Sequence, residues 1–142
     1  MIAIQQSEVI TPEGHKVNLE YDPEGDMLEI FFKRGRASGA LEIADPIILR
    51  FDRERGEALS LSILTFSKLI EPSEFGPLAF PLSGLEGLPS SLKSTIISLL
   101  QNPPVNYFLR VVSYIPTTHQ SPIPLSYMRK NHLLNKLSAL AA

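Results

Sequence analysis

The chain has 142 residues, 44% of them hydrophobic, with no cysteine, no tryptophan and a formal net charge of −2. That length suits one domain with a real core, and the missing cysteines exclude disulfides, thiolate zinc sites and a cysteine nucleophile. No apolar run approaches the ~20 residues of a membrane span, and the start Met1–Glu8 has no basic segment leading into an apolar one; the expectation is a soluble, cytoplasmic protein.

Residues 1–16 read as a lead-in, with a turn at Thr11-Pro12-Glu13-Gly14. Strand-like alternation then runs over Val17–Tyr21 and Met27–Lys33, joined by Asp22-Pro23-Glu24-Gly25. Asp, Pro and Gly stand there where a type I turn wants them, and Gly25 is the residue expected to take positive φ. Residues 34–46 read as a connector. The pattern is then written again 30 residues on: Tyr21 falls on Phe51, Asp22 on Asp52, Glu24 on Glu54, Gly25 on Gly56 and Leu28 on Leu59, the second copy having one extra residue assigned to its loop. Its strands are expected at Ile47–Asp52 and Ala58–Leu64. Thr65–Ile70 reads as a short helix ended by Pro72, and Ser90–Gln101 as a longer one stopped by Pro103-Pro104. Asn106–Ile115 reads as a fifth strand, residues 116–125 as irregular, and Ser126–Leu140 as a terminal helix.

Period-two alternation sorts the strands into faces. Val17, Leu19, Tyr21, Leu28, Ile30, Phe32, Ile47, Leu49, Phe51, Leu59, Leu61 and Ile63 form a dry face; Asn18, Glu20, Glu29, Arg50, Ser60 and Ser62 form a wet one. One dry face calls for an antiparallel sheet covered on that side. The expected fold is α+β: four to five antiparallel strands from two similar hairpins, with one or two helices on the dry face. The expected organisation is one domain over residues 1–115 and a Pro-containing basic extension over 116–142. Phe31 and Ile48 interrupt the wet face, which marks them as candidate interaction residues.

Charge is split along the chain. All 15 acidic residues stand at or before Glu86, whereas Lys93, Arg110, Arg129, Lys130 and Lys136 follow it with no acid among them. Such a split points to an interaction tail or to pairing between the halves. Arg129, Lys130 and Lys136 are the candidate contacts. Three bases on an acidic chain are too sparse for a nucleic-acid footprint, so a protein partner or a homo-oligomer is the expectation.

No catalytic set emerges. Asp22, Glu24 and Asp26 alternate like the start of a calcium loop, but Gly25 precedes the third acid and no distant Glu completes the set. The plainer reading is that Asp22 and Asp52 bond their own turn amides, with Gly25 and Gly56 as the turn glycines. His15, His119 and His132 lack metal-ligand spacing. No Gly-x-Ser-x-Gly occurs, and Gly35-Arg36-Ala37-Ser38-Gly39 lacks the Lys-Ser/Thr of a phosphate loop. The run Lys33-Arg34-Gly35-Arg36 reads first as a solvated strand end and second as a seat for a phosphate or carboxylate. No catalytic residue, cofactor or metal is assigned.

Tyr21-Asp22-Pro23-Glu24-Gly25-Asp26-Met27-Leu28, a second Asp-rich turn, and a strand ending in Ile63-Leu64 resemble a bacterial family known as domain of unknown function 2283. The resemblance spans about residues 15–70. Its continuation through Leu78-Ala79-Phe80-Pro81-Leu82 and Asn102-Pro103-Pro104-Val105-Asn106 is similar to a longer, cyanobacterial form. The family carries no established activity; the resemblance implies an antitoxin-like regulator of a small toxin as one alternative. The expectation is a small non-enzymatic interaction or self-assembling module. A further alternative is an enzyme that brings the acidic turn residues together at one end of the sheet.

Overall fold

The structure, a computed structural model, describes residues 4–71, 79–114 and 123–129. Its main layer is a six-stranded antiparallel sheet made of β1 (Gln5–Ile10), β2 (Lys16–Asp22), β3 (Met27–Phe31), β4 (Gly39–Ala44), β5 (Ile47–Asp52) and β6 (Glu57–Leu64). The strand order β1-β2-β3-β6-β5-β4 is two three-stranded meanders joined where β3 pairs with β6. The sheet is therefore wider than the four to five strands expected. The additional members are β1, in the stretch read as a lead-in, and β4, in the stretch read as a connector. Both are edge strands. QQSEVI carries only Val9 and Ile10 as apolar residues, because an edge strand can be held largely by backbone pairing with its one neighbour, whereas GALEIA adds Ile43 and Ala44 to the core.

The two acidic turns are equal in length: each leaves four residues between paired ends, Asp22 with Met27 and Asp52 with Glu57. The extra residue of the second hairpin sits in its strand. Between Arg50 and Phe51 the register shifts from Ser60 to Ala58, so Leu59 is the bulged residue. Leu59 is buried but lies outside the core cluster, unlike the other dry-face residues; Phe32 is half-buried and packs on that cluster.

The cover on the dry face starts with α1 (Phe66–Leu69) and a 3-10 turn at Ser83–Leu85. It continues with α2 (Ser90–Gln101), bracketed by Pro89 and Pro103-Pro104, and a second 3-10 turn at Val105–Tyr107. A small sheet completes it, in the order β7 (Phe80–Pro81), β9 (Ile123–Met128), β8 (Leu109–Tyr114). β9 replaces the irregular chain and the first turn of the terminal helix expected there: Ile123-Pro124-Leu125-Ser126 pairs along β8, and Ser126 is fully buried with its hydroxyl donating to the Arg110 carbonyl at 3.1 Å. The remainder of that expected helix lies outside the described residues.

Sheet and cover share one core. Leu19, Ile30, Leu49, Leu61 and Ile63 from the sheet are buried with Phe66, Leu85, Ile96, Leu100, Phe108 and Met128 from the cover. Phe32 meets Phe108 at a ring separation of 6.0 Å, and Tyr21 meets Phe66 edge-on at 5.7 Å. No helix among the described residues is long and apolar enough to cross a membrane.

Candidate functional site

Among the described residues the cover lies on one face and leaves the other face of the sheet open, and strand register decides what that face presents. Paired residues share a face, so two rows of six run across it. One is Gln6, Glu20, Glu29, Ser62, Ile48 and Glu42; the next is Glu8, Asn18, Phe31, Ser60, Arg50 and Ala40. Ser60 and Ser62 are small, lie on the central strand β6 and are buried between larger neighbours. Phe31 and Ile48 flank them from β3 and β5, both half-buried and two strands apart, roughly 10 Å at the usual strand spacing.

Over the second row the face is hollowed into a cleft of about 590 Å³. One wall holds Gln6, Glu8, Asn18 and Glu20; Phe31 and Ser60 lie between; the other wall holds Arg50, Leu59 and the loop residues Lys33, Arg34, Gly35 and Ala37. The bulge makes this second wall possible. It takes Leu59 out of the core and sets it against the loop, where a Cβ on Gly35 would lie 3.9 Å from its Cδ2. Lys33, Arg34 and Gly35 of the basic run therefore form a wall of a concave site rather than only a strand end. A smaller hollow of about 240 Å³ adjoins it, lined by Lys33, Arg34, Arg36, Asp52, Arg55 and Glu57 among others. There Lys33 pairs with Glu57 at 2.7 Å and Arg55 with Asp52 at 3.8 Å.

The cleft is electrically two-sided. The acidic wall holds Glu8 and Glu20, and just beyond it Glu29 stands directly opposite Glu20, a like-charge pair that is unfavourable unless each carboxylate finds a donor. Gln6 Nε2 donates to Glu20 at 3.3 Å, and the Ser62 hydroxyl lies 2.8 Å from both oxygens of Glu29. Lys16 pairs with Glu8 at 3.4 Å. On the basic wall no described acid pairs with Arg34 or Arg50, both of which are exposed.

The acidic turns do not come together. β6 runs eight residues from the second turn to Leu64, and Leu64 pairs with Met27 beside the first turn. The two turns therefore lie at opposite ends of the sheet, about 23 Å apart along the strand, so Asp22 and Asp52 cannot form one carboxylate site. Each caps its own turn: Asp22 Oδ1 accepts from the Glu24 N–H at 3.0 Å, and Asp52 Oδ1 from the Arg55 N–H at 3.2 Å. Gly56 takes positive φ (63°), but in the first turn it is Asp26, not Gly25, that does so (φ 50°). A Cβ on Gly25 would meet Asp22 Oδ2 at 3.1 Å, a tight contact from which the Asp22 carboxylate would have to give by a few tenths of an ångström.

Asp26 escaped the sequence reading as anything but a failed calcium ligand. Its carboxylate accepts from the Tyr21 hydroxyl (2.8 Å), the Ser67 N–H (3.0 Å) and the Ser67 hydroxyl (2.6 Å), and its carbonyl accepts from the Phe66 N–H (3.0 Å). Burial pushes its pKa up, but the bonds from Ser67 and Tyr21 and the charge of Lys68 outweigh burial and hold it below the ordinary carboxylate value. Burial first, then the bond to Asp26, pushes the Tyr21 phenol up to about 12. This constellation latches the first hairpin to α1.

Of the other candidates, Arg129 lies in the cover layer, away from Phe31 and Ile48. Its guanidinium donates to the Asn106 carbonyl at 2.8 Å. Lys130, Lys136, His119 and His132 lie outside the described residues. His15 is exposed in the β1–β2 turn, its N–H bonded to Thr11 Oγ1 at 3.1 Å. Among the described residues no three His, Asp or Glu side chains converge to hold a metal ion.

No curated protein and no solved structure matches the chain. Residues 18–67, from β2 through the first residues of α1, match the family described as "Protein of unknown function (DUF2283)". This segment holds both hairpins, the bulge, the Asp26 latch and the open face of the four central strands, and over it the chain resembles the DUF2283 family.

Proposed function

We propose that this protein is a small non-enzymatic interaction module that binds a polypeptide segment in the cleft on the open face of its six-stranded sheet. The observation that carries this reading is the cleft: about 590 Å³, with Phe31 between an acidic wall at Glu8 and Glu20 and a basic wall at Lys33, Arg34 and Arg50. A concave site with an aromatic anchor and opposed charges fits a partner that carries both signs around an apolar side chain. Ile48 extends the apolar surface beyond the cleft.

The test is capture of partners by the tagged full-length chain from its own cells, after nuclease treatment, with wild type compared with Phe31→Ser and Arg50→Glu. Both positions lie on the open face, so the variants are expected to keep the fold, checked by circular dichroism. A stoichiometric protein retained by the wild type and lost from both variants supports the reading. A partner held equally by all three, or none at all, counts against it.

A further inference from the structure

The two edges of the six-stranded sheet differ. The β4 edge is closed: a register irregularity lies between Glu42 and Ala44, and the Ser83–Leu85 turn packs so tightly there that a Cβ on Gly84 would overlap the Glu42 carbonyl. At the β1 edge, no described strand pairs with the outer side. β1 is lightly guarded for a free edge: QQSEVI has no proline, no lysine and no bulge, and Glu8 is its one charge.

Backbone direction follows from the turn after β1. The Thr11 N–H donates to the His15 carbonyl at 2.9 Å, so Thr11 and, by alternation, Val9, Ser7 and Gln5 exchange their bonds with β2. Gln6, Glu8 and Ile10 then turn N–H and C=O outward, as does the preceding Ile4.

We propose that the chain forms a two-fold dimer in which β1 pairs antiparallel with β1 of a second copy, centred on Ser7 opposite the partner's Ser7. The segment Ile4-Gln5-Gln6-Ser7-Glu8-Val9-Ile10 is self-complementary about that centre. Ile4 lies opposite the partner's Ile10, and Gln6 opposite the partner's Glu8, an amide donor facing a carboxylate acceptor. Ile4 and Ile10 are 58% and 66% exposed, the most exposed large hydrophobic residues among those described. The pairing brings these two together on one face at each end of the strand. All the outward backbone groups are matched in this register. Moving the centre to Glu8 sets two carboxylates opposite each other, and a one-residue slip sends apolar residues to the wrong face. The buried Oε1 of Gln5 has no hydrogen-bond partner among the described residues, and in the dimer the hydroxyl of the partner's Ser7 is its diagonal neighbour. The product is a continuous twelve-stranded sheet with both open faces, and both clefts, on the same side.

The proposal is independent of the partner reading for the cleft: a monomer that still holds its partner through Phe31 overturns the dimer alone. Two experiments on the full chain test it. Sedimentation equilibrium is expected to give a dimer for the wild type and a monomer for Glu8→Pro and for the double variant Ile4→Lys/Ile10→Lys. Glu8→Pro removes an outward N–H and spares the bonds to β2. Because the chain has no cysteine, Ser7→Cys reports the register. Mild oxidation is expected to give a covalent dimer with Ser7→Cys, whose Cα atoms would lie about 4.5 Å apart, and not with Gln5→Cys. A monomeric wild type, a dimer indifferent to Glu8→Pro and to the Lys pair, or crosslinking of Gln5→Cys in preference to Ser7→Cys overturns it.

Discussion

The Tyr21 hydroxyl donates to Asp26 Oδ1 at 2.8 Å, across the first turn and directly beneath α1. The same carboxylate holds both the N–H and the hydroxyl of Ser67, so one side chain fixes the hairpin, the helix start and the ring of Tyr21 against Phe66. Charge-assisted bonds in part-buried sites are the stronger kind, about 1.5–3 kcal/mol each. Asp26→Ala is therefore expected to destabilise the fold by roughly 2–4 kcal/mol, read as a lowered urea midpoint. Asp26→Asn tolerates the same positive φ and should lose less. Equal midpoints for wild type and Asp26→Ala would remove the latch from the account.

The same pair sets a pH dependence. Tyr21 has a folded pKa of about 12, above its unfolded value of 10.0, so its contribution is complete below about pH 10 and is lost as pH rises from there toward 12. Asp26 is depressed in the folded state, so its contribution is complete above the unfolded value of 3.8 and is lost as pH falls below that through the folded value. Unfolding midpoints followed from pH 9 to 12 should decline for the wild type and decline less for Tyr21→Phe, which has no phenol to titrate. Parallel curves would contradict the assignment.

Gly84 marks where the cover touches the β4 edge. Any side chain there overlaps the Glu42 carbonyl, and backbone on both sides must move. Gly84→Ala should cost at least about 1–3 kcal/mol, the usual range for overpacking. Gly35→Ala, whose nearest neighbour would be 3.9 Å away, should stay within about 0.5 kcal/mol. Thermal melts of the two variants side by side decide this, and a neutral Gly84→Ala would refute the close approach.

Phe108 is fully buried and in ring contact with both Phe32, which directly follows β3 of the main sheet, and Tyr107. Phe108→Ala leaves a cavity between the layers and is expected to cost about 3–5 kcal/mol, measured by denaturant unfolding. A loss under 1 kcal/mol would show that the cover contributes little to holding the main sheet.

The hairpins β2–β3 and β5–β6 and the helix α2 were legible in the sequence because their signals are local. Val17, Leu19 and Tyr21 alternate into one face, Asp22 and Asp52 mark the turns, and Pro89 and Pro103 bracket Ser90–Gln101. The family resemblance lies in the same stretch. The edge strands β1 and β4, and β9, were not legible: polar or proline-bearing segments such as Gln5–Ile10 and Ile123–Met128 become strands only when a neighbour offers its backbone, and the short apolar run of Gly39–Ala44 sits among turn residues.

Local pattern thus determined which residues are apolar in alternation, where the chain turns, and that one face of the sheet must be covered. Tertiary structure decided the rest. Pairing of β3 with β6 sent the two acidic turns to opposite ends, ending any joint role for Asp22 and Asp52. The bulge opposite Arg50 and Phe51 moved Leu59 from the core to the cleft, a change that period-two reading cannot anticipate because a single inserted residue reverses the face. Asp26, in the sequence only one acid of a turn, acquired its role when folding carried Ser67, 41 residues distant, within 2.6 Å of its carboxylate.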